Sequence, residues 1–399
     1  MPRYVWILVI GATIQVTADS FLWPLNTIYM HNELGKSLAF AGLILMLNQG
    51  AAIIGNLVGG TLFDKISAYQ AILMSTGLTL IGSVTLSINH GLLPYSILLV
   101  VIGFGSGMTQ PVMFAMAGSV WPEGGRRAFN AIYVARNFGV ALGASLAGYV
   151  ADISFDYVFI ANASLFAVFF MIVLLTFRPM ESERNRRMST SVLEQYDQVK
   201  SKSAFTGLLI LSAGFLVAWL VYSQWQSTIA SHTQDLGIPL DQYSLIWAIN
   251  GALIVAGQPL VKLLVDRVTS LKTHIYLGAG IFLMSFIVAS FAEDFSMFAV
   301  SMVILTFGEM LIWPAVPSLA NNLAPKGRTG FYQGFVNSVA AAGRMTGPLV
   351  GGLIVDLYDI HVLFFVLFGL LIIPFVTTKL FDRGMERDVS SSGNNAEQN

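Results

Sequence analysis

The 399-residue sequence contains no cysteine. Disulfides, thiolate nucleophiles and cysteine-based metal sites are therefore excluded. Charge is scarce: 11% of residues are Asp, Glu, Lys or Arg, against about a quarter in soluble domains. Five histidines, His31, His90, His232, His274 and His361, fall in predicted loops or at span ends, without metal-ligand spacing. Helical periodicity brings no Ser/His/Asp set together at depth. An enzyme is not expected, nor is a metal, an organic cofactor or a nucleic-acid partner.

What is present is apolar surface. The chain is 55% hydrophobic with 37 Gly and 28 Phe, and its mean hydropathy is +0.70. A bilayer span needs about 20 apolar residues, and such stretches recur along almost the whole length. Twelve are predicted, near 4–30, 38–62, 69–89, 92–120, 128–151, 155–177, 204–230, 240–265, 272–292, 295–321, 329–354 and 359–381. The first run is too long for a signal-peptide core and is expected to remain as a helix. The fold class is thus an all-α integral membrane protein.

Basic residues orient it. With the N-terminus inside, the inner segments hold seventeen Lys and Arg, the outer loops hold only Lys36, and Arg136, Lys262 and Arg344 fall within spans. Basic residues collect on the cytoplasmic side, so both termini are expected there. The polar stretch 178–203 reads as a cytoplasmic linker between six-helix halves at 1–177 and 204–381, and 382–399 as a disordered tail.

The halves are copies. At a shift of about 202 residues TIYMHNELG (27–35) faces TIASHTQDLG (228–237), and FGSGMTQP (104–111) faces FGEMLIWP (307–314). WPEGGRRAF (121–129) faces APKGRTGF (324–331), and Asp64-Lys65 faces Asp266-Arg267. Trp23 faces Trp225 and Asn48 faces Asn250, while Gly139, Gly143 and Gly148 face Gly343, Gly347 and Gly352. Repeated halves in a polytopic chain point to a carrier working by alternating access; a channel or sensor fits less well.

GGTLFDKISAYQ (59–70) resembles the Gly-x-x-x-Asp-Arg/Lys loop signature of the major facilitator superfamily, through Gly60, Asp64 and Lys65. GRMTGPLVGG (343–352), with Gly343, Gly347, Pro348, Gly351 and Gly352, has the form of that superfamily's antiporter signature. WPLNTIYMHNELG (23–35) is similar to the end of span 1 in its drug:proton antiporters. The resemblance implies twelve helices in two pseudo-symmetric halves. In span 4, where many drug exporters carry a basic residue for proton coupling, LLVVIGFGSG (98–107) has none.

The resemblance also implies roles. Asp64 is expected to accept from a helix N-terminus and latch the outward-open state, with Asp266 and Arg267 as its repeat. The glycines form a side-chain-free packing stripe, and Pro348 favours a bend.

Four ionisable residues lie near the middle of their spans: Asp19, Arg136, Glu309 and Arg344. A charge at mid-bilayer costs roughly 2.5–3.5 kcal/mol on insertion scales, which makes it a functional candidate. FGEMLIWP resembles span 10 of certain drug:proton antiporters with a glutamate at that place. Glu309 is therefore the first candidate proton carrier. Asp19 is the second, as proton site or as anionic partner of a cationic substrate. Arg136 and Arg344 are the counter-charges. Trp23, Trp225, Trp313, Gln15, Gln110, Gln224 and Asn250 are candidate cavity residues, offering stacking surface and adaptable donors.

The expected function is proton-coupled export of lipophilic or cationic small molecules by a monomer in the plasma membrane, driven by the proton gradient. The alternative is proton-coupled transport of a specific small polar or anionic metabolite, to which the arginines would suit.

Overall fold

In the computed structural model all residues are described except Trp23, Pro24, Ser37, Asp152, 191–201 and 384–399. Helices occupy each of the twelve apolar stretches: α1 Arg3–Leu22, α2 Leu38–Lys65, α3 Ala68–Ile88, α4 Leu92–Val120, α5 Arg126–Ala151 and α6 Phe155–Thr190. In the second repeat α7 is Lys202–Tyr222, α9 Leu271–Ser290, α10 Phe295–Leu323 and α11 Thr329–Leu357. Two spans are in pieces: α8 comprises Leu240–Ala256 and Gln258–Arg267, and α12 comprises Ile360–Leu370 and Ile372–Leu380. The break in α8 bends it by 52°, where Pro259 lacks the N–H that would continue the ladder.

Among the described residues ten helices are long and apolar enough to cross a membrane, or eleven with the bent α8. The remaining helix, α5, has 26 residues, long enough at about 1.5 Å per residue. Arg126, Arg127, Asn130, Arg136 and Asn137 keep its mean hydropathy down. The exposed side chains of the spans are apolar, among them Ile81, Leu175 and Phe365, as a lipid-facing surface requires.

Three boundaries differ from the sequence reading. α1 stops at Leu22, before Pro24, and a short turn and a π-helical turn (Asn26–Ile28, Tyr29–Glu33) follow; Asp19 is thus near the end of α1, not mid-helix. The α-helical part of α7 ends at Tyr222, but a 3-10 turn (Ser223–Gln226) and the short helix Thr228–Asp235 carry the span on to Asp235, past the expected end at 230. α6 continues to Thr190, so the first part of the expected linker 178–203 is helical, while 191–201 lie outside the described residues. The expected tail 382–399 also lies mostly outside them.

Helix starts are capped from sequence-local side chains. The Asp294 carboxylate accepts from Met297 N at 2.9 Å to open α10, and Asp359 accepts from Val362 N at 2.8 Å to open α12. The repeat is also written in the turns. Gly35 and Gly237 precede α2 and α8 at φ 61° and 76°, and Gly125 and Gly327 precede α5 and α11 at 47° and 78°. Such left-handed turns favour glycine.

The chain divides into two compact units. Unit 1 is Met1–Tyr196 with Gly327–Ser338; unit 2 is Asp197–Lys326 with Val339–Asn399. In unit 1, α1 packs on α5 and α6, α2 on α4, and α3 on α4 and α6. In unit 2, α7 packs on α12, α8 on α10, and α9 on α10 and α12. The pairings repeat. Water does not drive helices together inside lipid, so close packing must. Gly55 and Gly59 of α2 meet the α4 backbone at Phe104 and Met108, and Gly103 and Gly107 of α4 meet Asn48 and Ala52 of α2. These four glycines form a seam that the motif reading passed over, although their four-residue spacing is visible in the sequence.

Candidate functional site: one hydrogen-bonded acid in each unit

In unit 1, α1 and α4 bring Asp19 to Ser106. The Ser106 hydroxyl donates to Asp19 Oδ1 at 2.7 Å, and Gln15 Nε2, one turn earlier on α1, donates to Oδ2 at 2.6 Å. Arg136 on α5 is close enough for its charge to act on Asp19. Gln15 is therefore a ligand of the acid. Gln110 is half-buried, one turn after Ser106 on α4. Trp23 lies outside the described residues.

In unit 2, Glu309 of α10 is 2% exposed. Asn250 Nδ2 donates to its Oε1 at 2.6 Å, and the indole N–H of Trp313, one turn on, lies 3.3 Å from Oε2. Asn250 also donates to Thr306 at 2.9 Å. The Tyr222 hydroxyl completes a further hydrogen bond to Glu309, and Arg344 acts on Tyr222 through its charge. An aromatic cluster packs on the Trp313 ring that donates to the acid: Trp219 and Trp313 stack with centroids 4.2 Å apart, and Phe215, Tyr222 and Phe282 meet Trp313 edge-on. The Arg344 guanidinium sits 4.5 Å from the Trp219 ring centroid.

The two acids turn out to be related by the repeat with their partners exchanged. Gly139 and Gly143 of α5 pack on Thr13, Thr17 and Ser20 of α1, just as Gly343 and Gly347 of α11 pack on Leu216, Leu220 and Ser223 of α7. The shift that carries Thr13 to Leu216 carries Asp19 to Tyr222. The alignment of FGSGMTQP with FGEMLIWP carries Ser106 to Glu309. Each unit therefore joins a carboxylate to a hydroxyl at the same two positions, with the acid on α1 in one and on α10 in the other. Sequence reasoning missed Ser106, Trp219 and Tyr222. For Ser106 the signal was present, as a hydroxyl aligned against an intramembrane acid.

Other candidates are placed as follows. Trp225 is fully buried, packs edge-on to Phe298 and accepts at its carbonyl from the Tyr243 hydroxyl. Gln224 is fully buried and spends its amide N–H groups on the carbonyls of Leu220 and Gly347, at 3.0 and 2.8 Å. Both therefore serve the packing of unit 2. Gly351 packs on Gln224, but a Cβ at Gly148 or Gly352 would meet nothing within 4 Å. Each lies five residues beyond Gly143 or Gly347, which rotates it off the packed face. Pro348 is exposed, within a helix that runs on to Leu357.

At the end of α2, Asp64 Oδ1 and Oδ2 accept from the backbone N–H groups of Gly330 and Phe331 at 2.8 and 2.7 Å. These are first-turn N–H groups of α11, for which a helix supplies no acceptor of its own. A side chain at Gly60, one turn before Asp64, would collide with the Gly330 carbonyl. The glycine admits the incoming helix start and the aspartate caps it. Lys65 is exposed, as are Asp266 and Arg267 at the end of α8.

A membrane chain of two repeated helical units, each holding an acid on a membrane helix, is built as a carrier. The chain belongs to the Major Facilitator Superfamily, whose sequence profile matches residues 8–345 and 228–397. It is 56% identical over 384 residues to the "Uncharacterized MFS-type transporter YttB" of Bacillus subtilis (strain 168), covering 96% of each chain. It is 25% identical to "Multidrug resistance protein MdtH" of Aeromonas hydrophila, over 88% of this chain and 87% of that one. It is 23% identical to "Quinolone resistance protein NorA" of Staphylococcus aureus (strain COL), over 91% and 92%. Among solved structures, the human organic anion transporter MFSD10 (TETRAN) matches with a TM-score of 0.75 at 14% identity, covering 95% of this chain and all of that one, and shows the shared fold. The protein is a transporter of this superfamily, not an enzyme.

Proposed function

We propose that the protein exports lipophilic and cationic small molecules in exchange for protons. The observation that carries this reading is Glu309: an acid 2% exposed, in a membrane span, held by hydrogen bonds from Asn250 and Trp313, with an aromatic cluster packed on Trp313. Aromatic faces suit flat lipophilic compounds, and the acid suits a proton or a cation. The relatives named for multidrug and quinolone resistance support it. Asp19 is the second acid of the cycle, as a proton site or as the partner of a cationic group. Arg136 and Arg344 are counter-charges.

In this reading Asp64 latches the start of α11 while access is outward, and release of that cap accompanies the change to inward access. The carrier works as a monomer in the plasma membrane with both termini in the cytoplasm, and the proton gradient is its energy source. A second reading, proton-coupled transport of a small anionic metabolite, is favoured by the partly exposed arginines of each unit.

The test is accumulation of a fluorescent lipophilic cation in cells, with and without expression, before and after an ionophore collapses the pH gradient. Lower accumulation that the ionophore restores supports proton-driven export. No effect across several such dyes rejects it in favour of the metabolite.

A further inference from the structure

Trp219 presents two ring faces. Trp313 stacks on one at a centroid distance of 4.2 Å and an interplanar angle of 5°. The Arg344 guanidinium lies 4.5 Å from the same ring. Two groups at such distances do not fit on one side of an indole, so the guanidinium covers the other face. The cluster is graded in depth. Glu309, Trp313 and Tyr222 are 2%, 6% and 7% exposed, whereas Trp219 and Arg344 are only half-buried. The negative charge therefore sits at the back, the indole stack in the middle and a flat cation at the front. The Trp313 indole N–H, 3.3 Å from Glu309 Oε2, links back to middle.

We propose that the outer face of Trp219 is a binding subsite for flat, charge-delocalised organic cations, and that Arg344 is its resident occupant, displaced when such a cation binds. The inference rests on the export reading above and adds to it the ligand class and the two residues that select it. A guanidinium is itself a flat, delocalised cation, so its seat shows what the face accepts. It is also the one member of the cluster on a long flexible stem, able to vacate the face without disturbing the stack. Arg344 thereby keeps the face covered when no substrate is present, and a ligand must outcompete it. Glu309 supplies the field that holds any cation on the stack. Protonation of Glu309 removes that field, so proton and ligand compete for one negative charge, which is the sign an antiporter requires.

The experiment is equilibrium binding of ethidium, a planar delocalised cation, to the purified full-length protein, with tetraphenylphosphonium as a cation that cannot lay its charge flat on a ring. Arg344→Ala is expected to tighten ethidium binding by roughly two- to thirty-fold, the span of a cation–π contact, and to change tetraphenylphosphonium binding less. Trp219→Leu is expected to weaken ethidium binding, and adding Trp219→Leu to Arg344→Ala to erase the gain. Weaker or unchanged ethidium binding in Arg344→Ala overturns the proposal. So does a gain that persists without Trp219, because the effect is then simple removal of a positive charge. Binding is read without transport, so the two ideas fail separately. Export with no gain in Arg344→Ala defeats only the subsite, and a gain without export defeats only the efflux function.

Discussion

Asn250 and Trp313 reach Glu309 through nitrogen donors, which serve a carboxylate but cannot accept a proton from a carboxylic acid. The Tyr222 hydroxyl can do either, and Ser106 has the same freedom toward Asp19. Each acid is thus built with a partner that tolerates both protonation states. Glu309→Gln keeps the size and one acceptor but cannot titrate. In proteoliposomes loaded with a fluorescent cation, it is expected to abolish gradient-driven export while leaving exchange of labelled for unlabelled substrate. Unchanged active export rejects Glu309 as the proton carrier. Asp64 works at the same scale. Asp64→Asn leaves one of the two α11 donors facing an amide N–H group, and an unmet hydrogen bond costs about 1–3 kcal/mol. A lower thermal midpoint and slower transport are expected for Asp64→Asn, whereas Lys65→Ala, an exposed side chain, should change the midpoint little.

Helix contacts depend on backbones meeting where side chains are missing. A Cβ at Gly143 would collide with the Thr17 carbonyl of α1, whereas one at Gly148 meets open space. Gly143→Ala is therefore expected to lose folded yield in detergent chromatography, at a cost of about 1–3 kcal/mol for overpacking. Gly148→Ala should fold as the parent does; equal behaviour of the two variants would remove α1–α5 packing as the reason for the stripe. The glycine stripe, the twelve helices and the repeat were all legible because they are periodic. The Gly55/Gly59 and Gly103/Gly107 seam has the same period, but the motifs quoted around it drew notice to Asp64 and to the missing basic residue, and the seam itself is lost among 37 glycines. The end of α1 was read too far, since apolar residues continue past Leu22 while the helix does not; the span of α7, by contrast, runs on beyond Tyr222 to Asp235. Charges inside spans announced the acids and arginines directly. Trp219 gave no such notice, because aromatic residues are ordinary in apolar helices; Tyr222 stood against Asp19 in the repeat as Ser106 does against Glu309, a signal legible only once the halves are aligned residue by residue.

For the whole carrier, exchange of a cation against a proton fixes a sign that single-site variants do not. The acid must take its proton from the side where pH is lower and lose it where pH is higher. With acid outside, protons enter down their gradient and substrate leaves. With acid inside, the same cycle runs backwards and substrate is drawn in. Purified protein in liposomes, with membrane potential clamped, should therefore accumulate a lipophilic cation on the acidic side whichever side that is. Reversing the gradient should reverse the flux, and equal pH should give only exchange. Proton-coupled transport of an anionic metabolite has the opposite sign, because an anion held by Arg344 favours the protonated acid of the same cluster and travels with the proton. Accumulation on the alkaline side would therefore replace antiport by symport, with Asp19, Arg136 and Arg344 as contacts for a polar substrate. A flux that ignores the gradient would remove Glu309 and Asp19 from the coupling altogether.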